Sequence, residues 1–142
     1  MMPEVTAPTV LLVDDEEEFL ETMARLLQRR GLRVVSAASP EAALAWMGHQ
    51  RLDVLILDVR LPGTDGLELL RRARQQDPSL EVILLTGYPN EDDAVRGLGL
   101  GAVEYMGKPP DIDKLVEAVR QAHRRRLANL EAVERSADPS SA

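Results

Sequence analysis

The chain has 142 residues, a length that fits one domain able to bury a core without disulfides or a structural metal. It contains no cysteine, which excludes a disulfide framework and thiolate metal sites, and its formal charge of −7 argues against a general nucleic-acid surface. One Trp, two Tyr and one Phe are too few for base-stacking platforms. The amino terminus, Met1 to Pro8, lacks the basic start and apolar stretch of a secretory signal. No apolar run approaches the roughly 20 residues of a membrane-spanning helix. A cytoplasmic location with no membrane partner is therefore the expectation.

Residues 1–8 read as a flexible start. A first strand follows at Val10-Leu11-Leu12-Val13. Phe19, Leu20, Met23, Leu26 and Leu27 then recur at three- and four-residue steps, one face of a first helix that Gly31 ends. Val34-Val35 marks a second strand, and Ser39-Pro40 opens a second helix with a capping hydroxyl and a proline in its first turn. Trp46 on that helix reads as packing. Val54-Leu55-Ile56-Leu57 is a third strand, Leu67 to Gln76 a third helix closed before Pro78, and Val82-Ile83-Leu84-Leu85 a fourth strand. The first, third and fourth strands are continuously apolar, as strands covered on both faces are.

Asn90 is placed to cap the fourth helix, whose interior carries Gly97 and Gly99. Each glycine costs about 1 kcal/mol against alanine there, so this helix is expected at the low-stability end of the fold, where switching elements are found. Val103-Glu104-Tyr105-Met106 is the fifth strand, and Asp111 caps a fifth helix running to about residue 134. The basic run His123-Arg124-Arg125-Arg126 reads as a last helical turn complementing the dipole, with contact to acidic lipid, nucleic acid or a partner as the alternative. The tail from Ser136 to Ala142 is small and polar and expected to be disordered.

Strands alternating with helices imply a doubly wound α/β fold: a five-stranded parallel sheet of flavodoxin-like order 2-1-3-4-5 with five helices. In such sheets the ligand site lies beyond the carboxyl ends of the strands, at the switch point beside strands 1 and 3. Asp14 and Asp15 follow strand 1, Asp58 ends strand 3, Thr86 ends strand 4, and Lys108-Pro109 follows strand 5. The topology brings all of them to one rim. Clustered carboxylates repel one another and raise each other's pKa, so a cation is expected among them. Oxygen donors without His or Cys suit a hard ion, magnesium or calcium, and magnesium characteristically takes one or two carboxylates and shares a phosphate. A carboxylate can itself be a phosphoryl acceptor.

In that order and at those strand ends, Asp14-Asp15, Asp58, Thr86 and Lys108-Pro109 resemble the signature of bacterial two-component response-regulator receiver domains. VLLVDDEEEFL, LILDVRLPGTDGLELL, LLTGY and GAVEYMGKPP agree with it, as do Pro62 and Gly66 in the loop after Asp58. The resemblance spans roughly residues 9–126, leaving 127–142 as a helical extension and tail. It implies that Asp58 accepts a phosphoryl group from a sensor histidine kinase. Asp15, Asp58 and the Arg60 backbone carbonyl would bind Mg2+, with Asp14 acting mostly through water. Lys108 would pair with Asp58 and then with its phosphoryl group, and Thr86 would move to the phosphoryl oxygen. Tyr105 would follow inward, switching the face made by the fourth helix, fifth strand and fifth helix toward a downstream output domain or protein. The Lys108-Pro109 bond is implied to be cis. Such a domain catalyses only its own phosphoryl transfer and dephosphorylation.

Two residues past site positions, Arg60 and Tyr88 are bulky and could screen attacking water. Pro110 departs from the family, where phenylalanine is usual. The stretch from TGY to KPP resembles receivers of the enhancer-binding regulators. Leu127, Leu130 and Val133 could carry the fifth helix toward an output module or a phosphorylation-dependent homodimer, though they fall short of a coiled-coil pattern. Three other readings stay open: a pseudo-receiver acting by binding alone, an aspartate-nucleophile phosphatase, and a flavodoxin-like cofactor binder. Asp14-Asp15-Glu16 lacks the DxD of such phosphatases, and no Ser/Thr/Gly-rich phosphate loop follows strand 1.

Overall fold

The computed structural model describes residues 7–137. Its elements are β1 (Thr9–Val13), α1 (Glu17–Arg29), β2 (Arg33–Ala37), α2 (Pro40–His49), β3 (Val54–Asp58), a two-stranded ribbon β4 (Arg60–Leu61) and β5 (Thr64–Asp65), α3 (Gly66–Gln76), β6 (Glu81–Thr86), α4 (Glu91–Gly99), β7 (Glu104–Gly107) and α5 (Ile112–Ala137). The main sheet is five-stranded and parallel in the order β2-β1-β3-β6-β7. That is the expected 2-1-3-4-5 order, with β6 and β7 as the fourth and fifth predicted strands. The ribbon was not anticipated; it lies within the loop that follows Asp58.

Strand residues alternate between two cores. Leu11, Val13, Leu55, Leu57, Val82 and Leu84 face α2 and α3. Val10, Leu12, Val54, Ile56, Ile83 and Leu85 face α1 and α5. Period-two alternation with apolar residues on both sides is what a sheet buried on both faces demands. Ser39 Oγ caps α2 by accepting from Ala42 N, and Asn90 Oδ1 caps α4 by accepting from Asp93 N. Asp111 Oδ1 accepts from Lys114 N at the start of α5. Gly31, at φ +85°, makes the left-handed turn that ends α1.

The glycines of α4 differ from expectation. Gly97 is a close approach: a Cβ there would run into Leu84 Cδ1, so its bare backbone is what lets α4 lie on β6. Gly99 is the last residue of α4 and faces open space. Only Gly97 therefore bears on helix packing.

The basic run at residues 123–126 is not a last turn, because α5 continues unbroken through Ala137. Arg126 instead points inward and is only 2% exposed. Its guanidinium donates to Asp53 Oδ1 at 3.2 Å, Asp77 Oδ2 at 3.1 Å and Ser79 Oγ at 2.6 Å. Arg125 lies 3.7 Å from Glu81. Asp53 Oδ2 also accepts from Thr9 N. A buried arginine thus pins the middle of α5 to the segments entering β1, β3 and β6, a role that buried charge can fill only when fully paired. Lipid or nucleic-acid contact by Arg126 is excluded by its burial.

The expected flexible start lies outside the described residues as far as residue 6, whereas the Pro8 carbonyl accepts from Arg33 N at 3.1 Å. Of the expected tail, Ser136 and Ala137 are helical and residues 138–142 lie outside the described residues. Among the described residues no helix is long and apolar enough to cross a membrane.

The Arg126 cluster has a pH signature. Burial pushes the Asp77 carboxyl up, but bonds from Ser79 and the charge of Arg126 outweigh it and hold the group below its ordinary value of 3.8. A depressed folded-state pKa contributes stability above the unfolded value and loses it as pH falls through the folded one. Wild-type protein is expected to lose more unfolding free energy than Asp77→Asn between pH 7 and the region below 3.8, in urea titrations at each pH. Parallel pH profiles would remove Asp77 from the acid response.

Candidate functional site

Three strand ends are finished by the same local device. Asp14 Oδ1 accepts from Glu16 N at 2.9 Å, Asp58 Oδ1 from Arg60 N at 2.9 Å, and Thr86 Oγ1 from Tyr88 N at 3.2 Å. Asp and Thr side chains make this i to i+2 bond readily, and it turns the chain sharply out of a strand. The turns leave Asp14, Asp58 and Thr86 buried at the carboxyl rim of the sheet. Asp15 is exposed beside them. One carboxylate oxygen from each of Asp14, Asp15 and Asp58 falls within 4.8 Å of the others.

Lys108 closes the site from the far side. Its backbone N donates to Thr86 O at 2.8 Å, continuing the β6–β7 ladder and fixing the residue at the rim. Its side chain is 10% exposed and its ammonium reaches Asp58 Oδ2 at 2.9 Å. It also pairs with Asp14 Oδ2, and Glu16 stands 3.7 Å away. The Lys108-Pro109 peptide is cis, as the resemblance implied.

The charges do not balance. Burial pushes the Asp14 carboxyl above its ordinary value of 3.8, and the bonds from Lys108 and the Glu16 amide only partly reverse this. Burial alone would lower the Lys108 ammonium, but its bonds to Asp14 and Asp58 more than compensate and raise it. One lysine shared by two buried carboxylates, with Asp15 adjacent, leaves net negative charge. An all-oxygen donor set with that surplus fits a hard divalent cation and no softer one.

Arg60 starts the ribbon strand β4 at the rim, with its amide on Asp58. Its guanidinium reaches α4 and pairs with Asp93 at 3.2 Å. Tyr88 is 75% exposed, with its amide on Thr86. The half-buried Tyr105 hydroxyl accepts from Asn90 N at 3.1 Å, which ties it to the start of α4. Thr86 and Tyr105 are thus engaged with backbone amides and not with Asp58.

Phe19 packs against the core beneath α1, as its helical period predicts, and it also lies under Lys108, with the ammonium 4.6 Å from the ring centroid. Its position in the first turn of α1, just past the acidic pair, was the available signal. The Arg60–Asp93 pair was also missed, because its partners are 33 residues apart.

Among known proteins, the response regulator receiver domain family matches residues 10–120. The C4-dicarboxylate transport transcriptional regulatory protein DctD of Rhizobium meliloti is 37% identical over 88% of this chain and 27% of its own length. The transcriptional regulatory protein AfsQ1 of Streptomyces coelicolor is 41% identical over 83% of this chain and 52% of its own length. Among solved structures, the signal receiver domain of an HD domain-containing protein from Pseudomonas fluorescens superposes with a TM-score of 0.84 at 32% identity, covering 92% of this chain and 97% of that one. A response regulator from Burkholderia pseudomallei, solved with a phosphorylated aspartic acid, calcium ion and citrate, gives 0.76 at 31% identity over 89% and 74%. The chain belongs to the response regulator receiver domain family, and its acidic pocket is formed by Asp14, Asp15 and Asp58 with Lys108. It spans only 27% and 52% of the two curated relatives.

Gly66 shapes this site from the loop side. Its amide donates to Val59 O at 2.8 Å, and a Cβ there would sit 2.6 Å from Val59 O and also clash with Asp58 O. These are backbone atoms of the residue bearing the central carboxylate and of its neighbour, so they cannot yield cheaply. Gly66→Ala is expected to cost about 1–3 kcal/mol of stability, the range for overpacking, and to shift the Asp58 and Val59 amide resonances. Unchanged stability and spectra would show that the loop absorbs the methyl group.

Proposed function

We propose that this protein is a phosphoacceptor switch: Asp58 takes a phosphoryl group from the phosphohistidine of a sensor kinase, with Mg2+, and the modified domain signals through its α4-β7-α5 face. The observation that carries the reading is the buried Asp58 carboxylate, bonded through Oδ2 to Lys108 at 2.9 Å within a cluster of three carboxylates. In the transfer, an Asp58 oxygen attacks phosphorus as the donor's phosphorus–nitrogen bond breaks. The bonding electrons leave with the imidazole nitrogen. Phosphoryl transfer asks mainly for positioning and for neutralisation of the peripheral oxygens.

Lys108 is positioned to follow the charge from the carboxylate to the phosphoryl group. Asp15 and Asp58 would hold the metal, with the Arg60 carbonyl, and Asp14 would act mostly through water; one carboxylate oxygen from each of the three lies within 4.8 Å of the others. When bound, the ion supplies a second positive centre for the phosphoryl oxygens. The Thr86 hydroxyl would exchange the Tyr88 amide for a phosphoryl oxygen, and Tyr105 would leave Asn90 to turn inward. The Burkholderia pseudomallei structure, with its phosphorylated aspartate and calcium, supports this assignment by similarity. Relatives described as transcriptional regulatory proteins support a downstream output domain or protein that acts in transcription.

Incubation with acetyl phosphate, followed by intact mass measurement, tests the reading. One added phosphoryl group is expected in wild-type protein with Mg2+, and none without the metal or in Asp58→Asn. No addition under any condition would make a pseudo-receiver, signalling by binding alone, the better description.

A further inference from the structure

Helix α4 is tied to the loop that carries Asp58 by two ion pairs. Arg60 meets Asp93 at 3.2 Å, and Arg96 meets Asp65 at 3.2 Å. The first has an unequal construction. Asp93 is 13% exposed on its side chain and its Oδ2 also accepts from Asn90 Nδ2 at 2.9 Å, so it keeps a partner if the arginine leaves. Arg60 is 58% exposed on its side chain and is free to swing. The arginine stem begins at the residue whose amide already holds Asp58 Oδ1. Arg60 therefore has its backbone at one anionic site and its guanidinium at another, and the first gains charge when Asp58 is phosphorylated. A phosphoryl group offers a guanidinium a denser, bidentate acceptor than a carboxylate does.

We infer that Arg60 exchanges partners: it holds Asp93 of α4 in the unmodified protein and moves onto the phosphoryl group when Asp58 is modified, releasing the first turn of α4. The inference rests on the phosphoacceptor reading and adds to it the residue that couples the pocket to α4. Arg60 then has two roles, one in each state. It is a phosphoryl-binding group in one state and a clamp on α4 in the other. Asn90 joins the clamp to Tyr105, since it donates through its side chain to Asp93 and through its backbone N to the Tyr105 hydroxyl. Release of Asp93 therefore loosens the cap that holds Tyr105 outward.

The two halves of the ion pair should have opposite effects, which a purely structural tie cannot produce. Binding of beryllofluoride, a phosphoryl mimic, with Mg2+ can be followed by 19F NMR in the full chain. Asp93→Asn frees Arg60 and is expected to tighten binding about twofold to fivefold, the range of an exposed ion pair. Arg60→Ala removes the phosphoryl contact and should weaken binding about twofold or more, with Arg60→Lys between it and wild type. If both variants shift affinity in the same direction, or neither shifts it, partner exchange is wrong. Wild-type protein that binds no beryllofluoride and takes no phosphoryl group would instead remove the underlying reading, and the inference with it.

Discussion

One ammonium between two buried carboxylates is the constraint on which the site depends. Asp14, on a side chain 2% exposed, and Asp58, on one 7% exposed, could not remain ionised together without a cation within bonding distance, and Lys108 is the one the fold supplies. The parallel sheet makes this meeting possible. The strands carrying Asp14 and Asp58 are neighbours at the centre of the sheet, while Lys108 comes from the edge strand β7 and must extend back across β6. Its ammonium ends over the Phe19 ring, and its backbone bond to Thr86 sets where the reach begins. A lysine stem with a single compact charge can serve two acceptors at once, which is also why it neutralises them incompletely.

The two ends of the sheet are held differently. At the amino ends of the strands, Arg126 is enclosed by Asp53, Asp77 and Ser79, and α5 is fastened at its middle. At the carboxyl ends negative charge is in excess, and the elements nearby are held by exposed ion pairs that are individually worth little. On the proposed reading, a fixed end opposite a loosely tied one would let charge arriving at the rim move α4 without disturbing the rest of the fold. Gly97, the buried residue of α4, approaches the Leu84 side chain too closely for a Cβ to fit without a shift.

The sheet and the pocket were legible because they rest on local signals. Continuous apolar runs mark buried strands, breakers mark their ends, and topology then brings Asp14, Asp15, Asp58, Thr86 and Lys108 together without any pairwise information. What escaped were contacts between residues far apart in sequence whose types carry no distinctive chemistry. Arg126 looked like part of a solvated basic turn because nothing in HRRR says which of three arginines turns inward; Asp53 lies 73 residues away. The Arg60–Asp93 pair was out of reach because its partners are 33 residues apart. Phe19 satisfied a helical period and so appeared accounted for. Gly97 was read by its helix propensity alone, when its reason is Leu84.

Charge compensation by Lys108 is the central physical claim, and a double-mutant cycle on stability tests it most directly, in metal-free urea unfolding. Lys108→Met strands two buried carboxylates and is predicted to cost about 3–5 kcal/mol, as breaking a buried pair does. Asp58→Asn introduced into that background is predicted to restore a large part of the loss, because it removes one of the stranded charges. If Asp58→Asn leaves Lys108→Met unchanged or destabilises it further, the lysine is not there to balance the pocket, and the account of the site built on it fails.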